Sequence, residues 1–410
     1  MWLVVLNSLL VSLSSQQRAQ TLSQISSIDK RILSLLGTLL LFAIIANLVG
    51  YYPIRGFIDL SYYLGLLLLC TTLTLNKHNK LIFELIALIS ALCFLSVFLG
   101  FVVSILYGDG ETVWTILSYT NPRMMNQVQV WLIAPSLYLV LVSRSLKAWI
   151  PLLLNFALIF ALQARGLAVA SITGLLLWAV LDKKHRARII KTVALAIALG
   201  YAIKWLFLAP FPAYILTGEL LPPPLLRTSD SGRIEMWTFV FQHLSFWGNG
   251  GDAFACNSPF NARPHNSVLL VAFNWGILSA ICFVALIAKL LIKVTHVQDI
   301  KARLWGITLL SGVAYSFISG VLDSPFSQLL ALITIALFWQ STGPKARYKA
   351  LQWQHLMLLL LGLLIASITT QRVLDRIDNN FFLAEEYIPE VYTPQFWFGN
   401  NCLEVEKRIQ

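Results

Sequence analysis

The chain has 410 residues, of which 58% are hydrophobic and only 12% are charged, and its mean hydropathy is +0.73. This composition excludes an ordinary soluble globular protein and is typical of an integral membrane protein. The formal net charge is +11. It does not predict nucleic-acid binding, because the basic residues are spread over short loops between apolar runs and leave no separate basic domain.

The N-terminal apolar stretch, Met1–Leu13, is short for a membrane crossing. Two interpretations stay open for it: a short or tilted first transmembrane helix, and a re-entrant helix. A cleaved signal peptide is not expected, because no basic region precedes the stretch and Ser14-Ser15-Gln16 does not match a small-residue cleavage site.

Apolar runs of the length that crosses a bilayer as a helix then recur to the end of the chain. They are Ile32–Tyr51, Phe57–Leu75, Leu81–Tyr107, Val128–Val142, Ala148–Ala164, Gly166–Leu181, Ile189–Leu208, Ser267–Ile292, Leu304–Leu322, Ser324–Gln340 and Gln354–Thr370. The sequence therefore predicts an all-α polytopic membrane protein of about 11–12 transmembrane helices.

Basic residues are concentrated in alternate loops, which the positive-inside rule assigns to the cytoplasm, where they would also contact anionic lipid headgroups. The residues are Lys30/Arg31, Lys77/Lys80, Arg144/Lys147, Lys183–Arg188, Lys289/Lys293/Lys301/Arg303 and Lys345/Arg347/Lys349. The predicted division is residues 1–208 as N-terminal transmembrane helices, 209–266 as a large external loop, 267–371 as C-terminal transmembrane helices and 372–410 as an external tail.

The large loop opens with Pro210, Pro212 and Pro222-Pro223-Pro224, which predict an extended, irregular entry because proline breaks helices. A short amphipathic helix is predicted further on, over Ile234–Ser245. The loop is long enough to cap the membrane domain but too short for an independent catalytic domain.

Five cysteines are present. Cys70, Cys93 and Cys282 lie in predicted spans and are interpreted as packing residues. Cys256 and Cys402 both fall on the external side, so either a disulfide between them or two unpaired thiols is possible if that side is the periplasm. No Cys/His cluster predicts a metal site.

One external imidazole has a setting suited to chemistry. His265 stands just before the span that begins at Ser267, with Arg263 and Asn266 as neighbours. An imidazole near the membrane edge can accept a proton at neutral pH and serve as a general base. The structural alternative is a histidine that caps the next helix or binds a headgroup.

External arginines accompany this histidine. Arg165 lies between two spans with almost no loop, and Arg233, Arg263 and Arg123 lie on the same side. A cation at the edge of the hydrocarbon is costly unless it is paired or faces water, and guanidinium groups bind phosphate oxygens in a bidentate manner. The set would suit a pyrophosphate, although Arg165 alone could be an anchor at the membrane surface.

These residues resemble the O-antigen ligase and O-antigen polymerase superfamily of membrane glycosyltransferases. The resemblance rests on Gln163-Ala-Arg165-Gly166, Gly232-Arg233-Ile-Glu-Met-Trp237, Trp247-Gly248-Asn-Gly250, His265-Asn266-Ser-Val-Leu269 with Gly276, and an upstream Asn121-Pro122-Arg123. These elements follow the family's order over about the middle third of the chain. The polar segment Gly248–Gly251 and the Arg263-Pro264 pair depart from the family pattern.

The resemblance implies a polytopic glycosyltransferase fold of the GT-C type in the bacterial inner membrane, with the active site facing the periplasm. It implies a donor glycan on undecaprenyl pyrophosphate, with Arg165 and Arg233 holding the pyrophosphate and His265 as base or acceptor-orienting group. A role for Arg263, Arg123 or Asn266 extends it. No cofactor is expected, and the external carboxylates stand singly, so we expect inverting, metal-independent transfer.

The sequence leaves the acceptor open. Ligation of O-antigen to the lipopolysaccharide core is favoured, and O-antigen polymerisation or transfer to a protein hydroxyl are the alternatives within the superfamily. A transporter or flippase of a lipid-linked glycan is the competing class, although the matching broken helices in two halves that many transporters show are not evident here.

Overall fold

The computed structural model describes residues 1–75, 79–107, 123–220, 232–260, 263–343 and 350–386. All regular secondary structure in these ranges is helical. The α-helices are α1 (Trp2–Leu13), α2 (Ser15–Ser26), α3 (Lys30–Val49), α4 (Pro53–Leu73), α5 (Asn79–Tyr107), α6 (Arg123–Val142), α7 (Trp149–Ala161), α8 (Arg165–Leu181), α9 (Arg186–Phe207), α10 (Phe211–Thr217), α11 (Arg233–Gln242), α12 (Ala253–Asn257), α13 (Ser267–His296), α14 (Ile300–Ser316), α15 (Pro325–Thr342) and α16 (Gln352–Glu386).

A helix occupies each of the eleven predicted spans. Within the described residues, seven helices are long and apolar enough to cross a membrane: α3, α4, α5, α6, the segment that contains α9, α13 and α16. Helices α7, α8, α14 and α15 pack among them in the same bundle. The prediction of an all-α, multi-pass membrane protein is confirmed, and the helices that meet the length and hydropathy criterion are fewer than the 11–12 predicted.

Local sequence explains where several helices begin. The Asp29 carboxylate accepts a hydrogen bond of 2.7 Å from the backbone N–H of Arg31 and caps α3, while Asp299 caps α14 in the same way at 2.8 Å from Ala302. Prolines occupy the first turns of α4 and α15, where a missing N–H costs nothing. Turn chemistry therefore fixes helix entry at both ends of the bundle.

Helix α6 lies at the centre of the bundle, with 89% of its most apolar 18-residue window buried. It packs against α5, α7, α8, α14 and α15. Its predicted start, Val128, is late because the polar residues Asn126, Gln127 and Gln129 belong to the helix and are buried. The side-chain N–H of Gln129 lies 3.4 Å from the side-chain oxygen of Asn155 on α7, and this contact gives that donor a partner inside the core.

The first helix packs one face against α4 and α16. Val4 and Ser12 of α1 lie against Gly65 on α4 and Gly362 on α16, where a Cβ would come within 2.3 Å of their side chains. At 12 residues, α1 is about 18 Å long, which is shorter than the ~30 Å hydrocarbon core. The alternative of a short helix therefore fits its length.

The two ends of the bundle are distinguished by the loops and helix ends that lie there. The loop end holds residues 208–220, 232–260 and 263–266 and the first turns of α4, α6, α8, α13 and α15; there Leu208 packs with Met125 and Leu162. The opposite end holds the α8–α9 and α13–α14 turns. Among the described residues, those proposed from the sequence for the site belong to the loop end.

Several boundaries differ from the predicted ones. The proline-rich entry to the large loop contains a helix, α10, with Pro212 in its first turn, where proline is tolerated. Helix α13 runs to His296 instead of Ile292, so Lys293 belongs to the helix. Helix α16 continues past residue 371 to Glu386, so the predicted border between span and tail falls inside one helix.

Candidate functional site

The segment around Gly248–Gly251 is held against a break in α13. The helix is interrupted at Gly276, whose φ is +88°. At this break a Cβ on Gly248 would lie 2.5 Å from the backbone nitrogen of Gly276, so two backbones touch where only glycine fits. The N–H of Gly250 donates to the carbonyl of Asn274 at 2.8 Å. Backbone hydrogen bonds released by the break are therefore taken up by the loop.

The same segment is also fixed to the α3–α4 corner. The side-chain oxygen of Asn47 accepts a hydrogen bond of 2.8 Å from the N–H of Gly251, and Asn249 offers its carbonyl to the N–H of Tyr51 at 3.0 Å. Asn47 is buried, so this contact gives its side-chain oxygen a partner inside the apolar bundle. The loop is thus anchored on both α3 and α13.

Charged side chains join this loop to α4 and α16; we call Arg55, Asp59, Asp252 and Arg372 the Arg372 network. Arg372 donates from Nη1 to Oδ1 of Asp59 at 3.1 Å, and its Nη2 lies 3.8 Å from Oδ2 of Asp252. Nε of Arg55 lies 3.2 Å from the same Asp252 oxygen. Asp59, Asp252 and Arg372 are all buried, so each charge depends on its partners in place of water.

A further ion pair lies beside this network. Nη1 of Arg263 is 3.8 Å from Oδ2 of Asp323, which belongs to the loop between α14 and α15. A narrow cavity is lined by both of these residues together with Asp59, Tyr63 and Asp252. Burial lowers the pKa of the Arg263 guanidinium from its ordinary value, although an arginine stays charged.

The charges of the Arg372 network and of the Arg263–Asp323 ion pair balance. Three arginines, Arg55, Arg263 and Arg372, face the three carboxylates of Asp59, Asp252 and Asp323. The secondary role that the sequence suggested for Arg263 in binding a diphosphate stays a prediction, and in the structure this guanidinium already lies beside a carboxylate. A buried cation matched by a carboxylate contributes little net charge to an incoming anion.

His265 sits in the short connection between Arg263 and α13 with a φ of +51°. Trp237 of α11 donates from Nε1 to the carbonyl of Pro264 at 2.7 Å. Arg233 lies one turn before Trp237, and residues four apart share one face of a helix. The start of α11 is therefore held over the His265 connection, and the structure brings the segments of Arg233 and His265 together.

Asn266 has a structural role. Its side-chain oxygen accepts hydrogen bonds from the N–H groups of Val268 and Leu269 at 3.0 and 3.1 Å, which caps α13. The sequence had considered a cap at this point for His265, and the structure gives it to the neighbouring asparagine. The cap fixes where α13 begins and so fixes the backbone next to His265.

Arg165 is the first residue of α8 and is exposed. The following Gly166 packs against the connection after α14, where a Cβ would lie 2.6 Å from Cδ1 of Ile318. Ile318 belongs to the same α14–α15 connection as Asp323, the partner of Arg263. Arg165 thus lies at the loop end, and this connection links its helix to the Arg263 segment, without a direct contact to Arg233 or His265 among the described residues.

Backbone strain marks the same segments. Among the described residues, a positive φ outside glycine occurs at Gln163, Asp252 and His265, with values of +47°, +60° and +51°. Such conformations cost of order 1–3 kcal/mol and tend to gather at functional sites. All three are at the loop end, and two belong to motifs that the sequence selected.

Some predicted site residues lie outside the described part of the structure. Arg123 begins α6, but its side chain and the preceding Asn121-Pro122 are not described.

Cys256 is disulfide-bonded, whereas Cys70, Cys93 and Cys282 are free. Cys402 lies outside the described residues, so the Cys256–Cys402 pairing stays a prediction.

The sequence interpretation did not select the Arg372 network. Asp59 lies inside a predicted span, and an ionisable residue within a transmembrane segment is a signal of function or pairing by itself. That signal could have identified Asp59. The sequence signal at Arg372 is weaker, because this residue lies just after the predicted last span. Within the described residues no group of three or more His, Cys, Asp or Glu side chains is arranged to hold a metal ion.

The fold and the site define a class: a polytopic α-helical membrane protein with buried, charge-balanced groups under a loop at one end of its bundle. No family model, no curated protein and no solved structure matches the chain.

Proposed function

We propose that this protein is a membrane glycosyltransferase of the GT-C type. It moves a glycan from undecaprenyl pyrophosphate to an acceptor hydroxyl at the periplasmic face of the inner membrane, and the favoured reaction is ligation of O-antigen to the lipopolysaccharide core. The observation that carries the proposal is the hydrogen bond from Trp237 to Pro264, because it holds the start of α11, with Arg233, against the connection that bears His265.

Two further observations support the proposal. The positive φ of His265 and that of Gln163, two residues before Arg165, indicate that both segments are kept in costly conformations. In addition, the other buried arginines at this end are matched by carboxylates. Arg165 and Arg233 are the two arginines that the resemblance assigns to the diphosphate, and Arg165 is exposed at the start of α8.

The transfer then proceeds with few groups. The acceptor hydroxyl gives its proton to His265 as its oxygen attacks the anomeric carbon from the face opposite the diphosphate. The bond from that carbon to the diphosphate oxygen breaks, and the lipid diphosphate leaves with the electron pair. Arg165 and Arg233 stabilise the negative charge that develops on the leaving group. The anomeric configuration is inverted, and no metal takes part.

The test is transfer by purified protein in liposomes supplied with an undecaprenyl-pyrophosphate glycan and one acceptor class at a time: lipopolysaccharide core, a second lipid-linked repeat, or a protein. We expect His265→Ala to lower the rate by about 100-fold or more, and Arg165→Ala and Arg233→Ala to do so by about 100- to 1,000-fold. Chelation of divalent metals should leave the rate unchanged.

The matched control is Arg144→Ala, which removes an exposed arginine at the opposite end of the bundle. It should keep wild-type activity. Full activity in all three site variants would exclude this mechanism. Movement of the lipid-linked glycan across the bilayer without release of lipid diphosphate would identify a flippase instead. The acceptor that is consumed decides among ligase, polymerase and protein glycosyltransferase.

A further inference from the structure

A second concave site lies at the opposite end of the bundle, far from the proposed active site. It is a groove of about 710 Å³ between the first turn of α3, the last turns of α13, the start of α14 and the end of α15. Its lining includes Arg31, Lys289, Lys293 and His296. We call it the Lys289 groove. Nothing in the proposed reaction uses it.

The cations of the groove form a facing set. Lys289 and Lys293 are four residues apart and therefore lie on one face of α13, while Arg31 lies across the groove on α3. None of these three side chains makes an ion pair within the described residues. Like charges at this spacing repel each other, so a bound anion would recover free energy that the unliganded protein loses.

The carboxylates in the lining already have other partners. Asp29 accepts the N–H of Arg31 at 2.7 Å, and Asp299 accepts that of Ala302 at 2.8 Å, so both act as helix caps. Asp29 also attracts Lys293 electrostatically. Three permanent cations still face two carboxylates, and the N-termini of α3 and α14 add partial positive charge beyond their caps. The groove therefore favours an anion.

Depth and apolar lining identify the kind of anion. Lys289 is seven residues before the last residue of α13, which places it about 10 Å inside the end of that helix. The groove is also lined by Ile32, Ile292 and Val297, and Nζ of Lys293 lies 5.5 Å from the centre of the Phe338 ring. Cations that lie beside apolar side chains at this depth suit a phosphate that carries acyl chains.

We propose that the Lys289 groove binds the phosphate of an anionic phospholipid, with Lys289, Lys293 and Arg31 on the headgroup and the apolar side chains against the first part of its chains. Lipid phosphate and free phosphate share this chemistry, and the apolar lining favours the lipid. The site does not depend on the proposed glycosyl transfer.

The experiment compares the thermal unfolding of full-length protein in phosphatidylcholine vesicles, in the same vesicles with added phosphatidylglycerol, and in phosphatidylcholine with added glycerol phosphate. A ligand that binds only the folded state raises the unfolding temperature. We expect phosphatidylglycerol to do so and glycerol phosphate to have little effect. In Lys289→Gln/Lys293→Gln the apparent affinity should fall about thirtyfold, because each lysine near an anionic lipid contributes roughly fivefold.

The control is Lys183→Gln/Lys184→Gln, which removes two exposed lysines at the same end of the bundle but outside the groove. It should respond to phosphatidylglycerol as the wild type does. An equal loss in both double variants would overturn the proposal in favour of general surface charge, as would equal stabilisation by phosphatidylcholine alone. If the double variant misfolds, Arg31→Gln tests the facing side of the groove and should lose part of the response.

Discussion

Buried charges hold both ends of the bundle, but they are assembled from different parts of the chain. At the loop end, Asp59 and Arg372 are 313 positions apart, and they meet Asp252 from a third segment. At the opposite end, Asp182 binds His185 only three residues later, with ring Nδ1 at 3.0 Å from Oδ1, and Arg303 of α14 at 3.4 Å from Oδ2. The first cluster joins three distant segments, while the second consists of a local turn and one residue of α14.

The difference indicates what each cluster does. The Asp182 cluster fixes the α8–α9 turn to α14, a contact between helices that already pack along their length. The Arg372 network instead connects α4 and α16 to the loop before α12, which is the loop that α13 also holds at its break. Its loss should therefore disturb the loop end as a unit, whereas loss of the Asp182 cluster should loosen one turn.

The largest expected effect comes from Arg372→Met. This change leaves the carboxylates of Asp59 and Asp252 buried beside a removed cation, and breaking a buried pair in this way costs about 3–5 kcal/mol. We expect the free energy of unfolding, measured in mild detergent with a denaturing detergent as titrant, to fall by about that amount. The double variant Asp59→Asn/Arg372→Met should recover part of the loss, since it leaves one unpaired charge fewer.

Two results would contradict this interpretation of the Arg372 network. If Arg372→Met unfolds with the wild-type free energy, the ion pairs do not hold the loop. If the double variant is less stable than the wild type by the sum of the losses in Asp59→Asn and Arg372→Met alone, Asp59 and Arg372 are not coupled.

A smaller effect is expected from Arg303→Met at the opposite end. Asp182 keeps the ring and the backbone N–H of His185 as partners, so this change removes only its ion pair with Arg303. We expect a cost of about 1–3 kcal/mol, the range for one buried polar group left short of a partner. The same unfolding titration measures it. A cost equal to that of Arg372→Met would remove the distinction between the two clusters.

The membrane class and the positions of the helices could be predicted from the sequence, because apolar length is a local property. Phe57–Leu75 was predicted and Pro53–Leu73 is observed, for example. Helix ends next to buried polar residues could not be predicted as well. Asn126 and Gln127 belong to α6 although Val128 was the predicted start, and hydropathy cannot register that the side-chain N–H of Gln127 lies 3.4 Å from the hydroxyl of Ser319.

For the site, the sequence could place Arg165, Arg233 and His265 at one end of the bundle through the alternation of spans. It could not show which arginines are already neutralised. Arg263 and Arg165 look alike in the sequence, yet only Arg263 faces a carboxylate, Asp323, that is 60 positions away. Pairing of this kind depends on which helices become neighbours, and that is a tertiary property.

The smallest expected effect is on the pH dependence of stability, and it belongs to the local cluster. Burial by itself would raise the pKa of Asp182, but the hydrogen bonds from His185 and the nearby charges of His185 and Arg303 outweigh it and lower the pKa from its ordinary value. A carboxylate with a lowered folded pKa binds fewer protons than in the unfolded chain. Its contribution is therefore complete above the unfolded pKa, near 3.9, and is lost as the pH falls through the folded pKa. Unfolding free energies measured from neutral pH down into this acidic range should fall more steeply for the wild type than for Asp182→Asn. Parallel curves would show that the carboxylate has no such linkage, and the Asp182 cluster would then hold its turn through geometry alone.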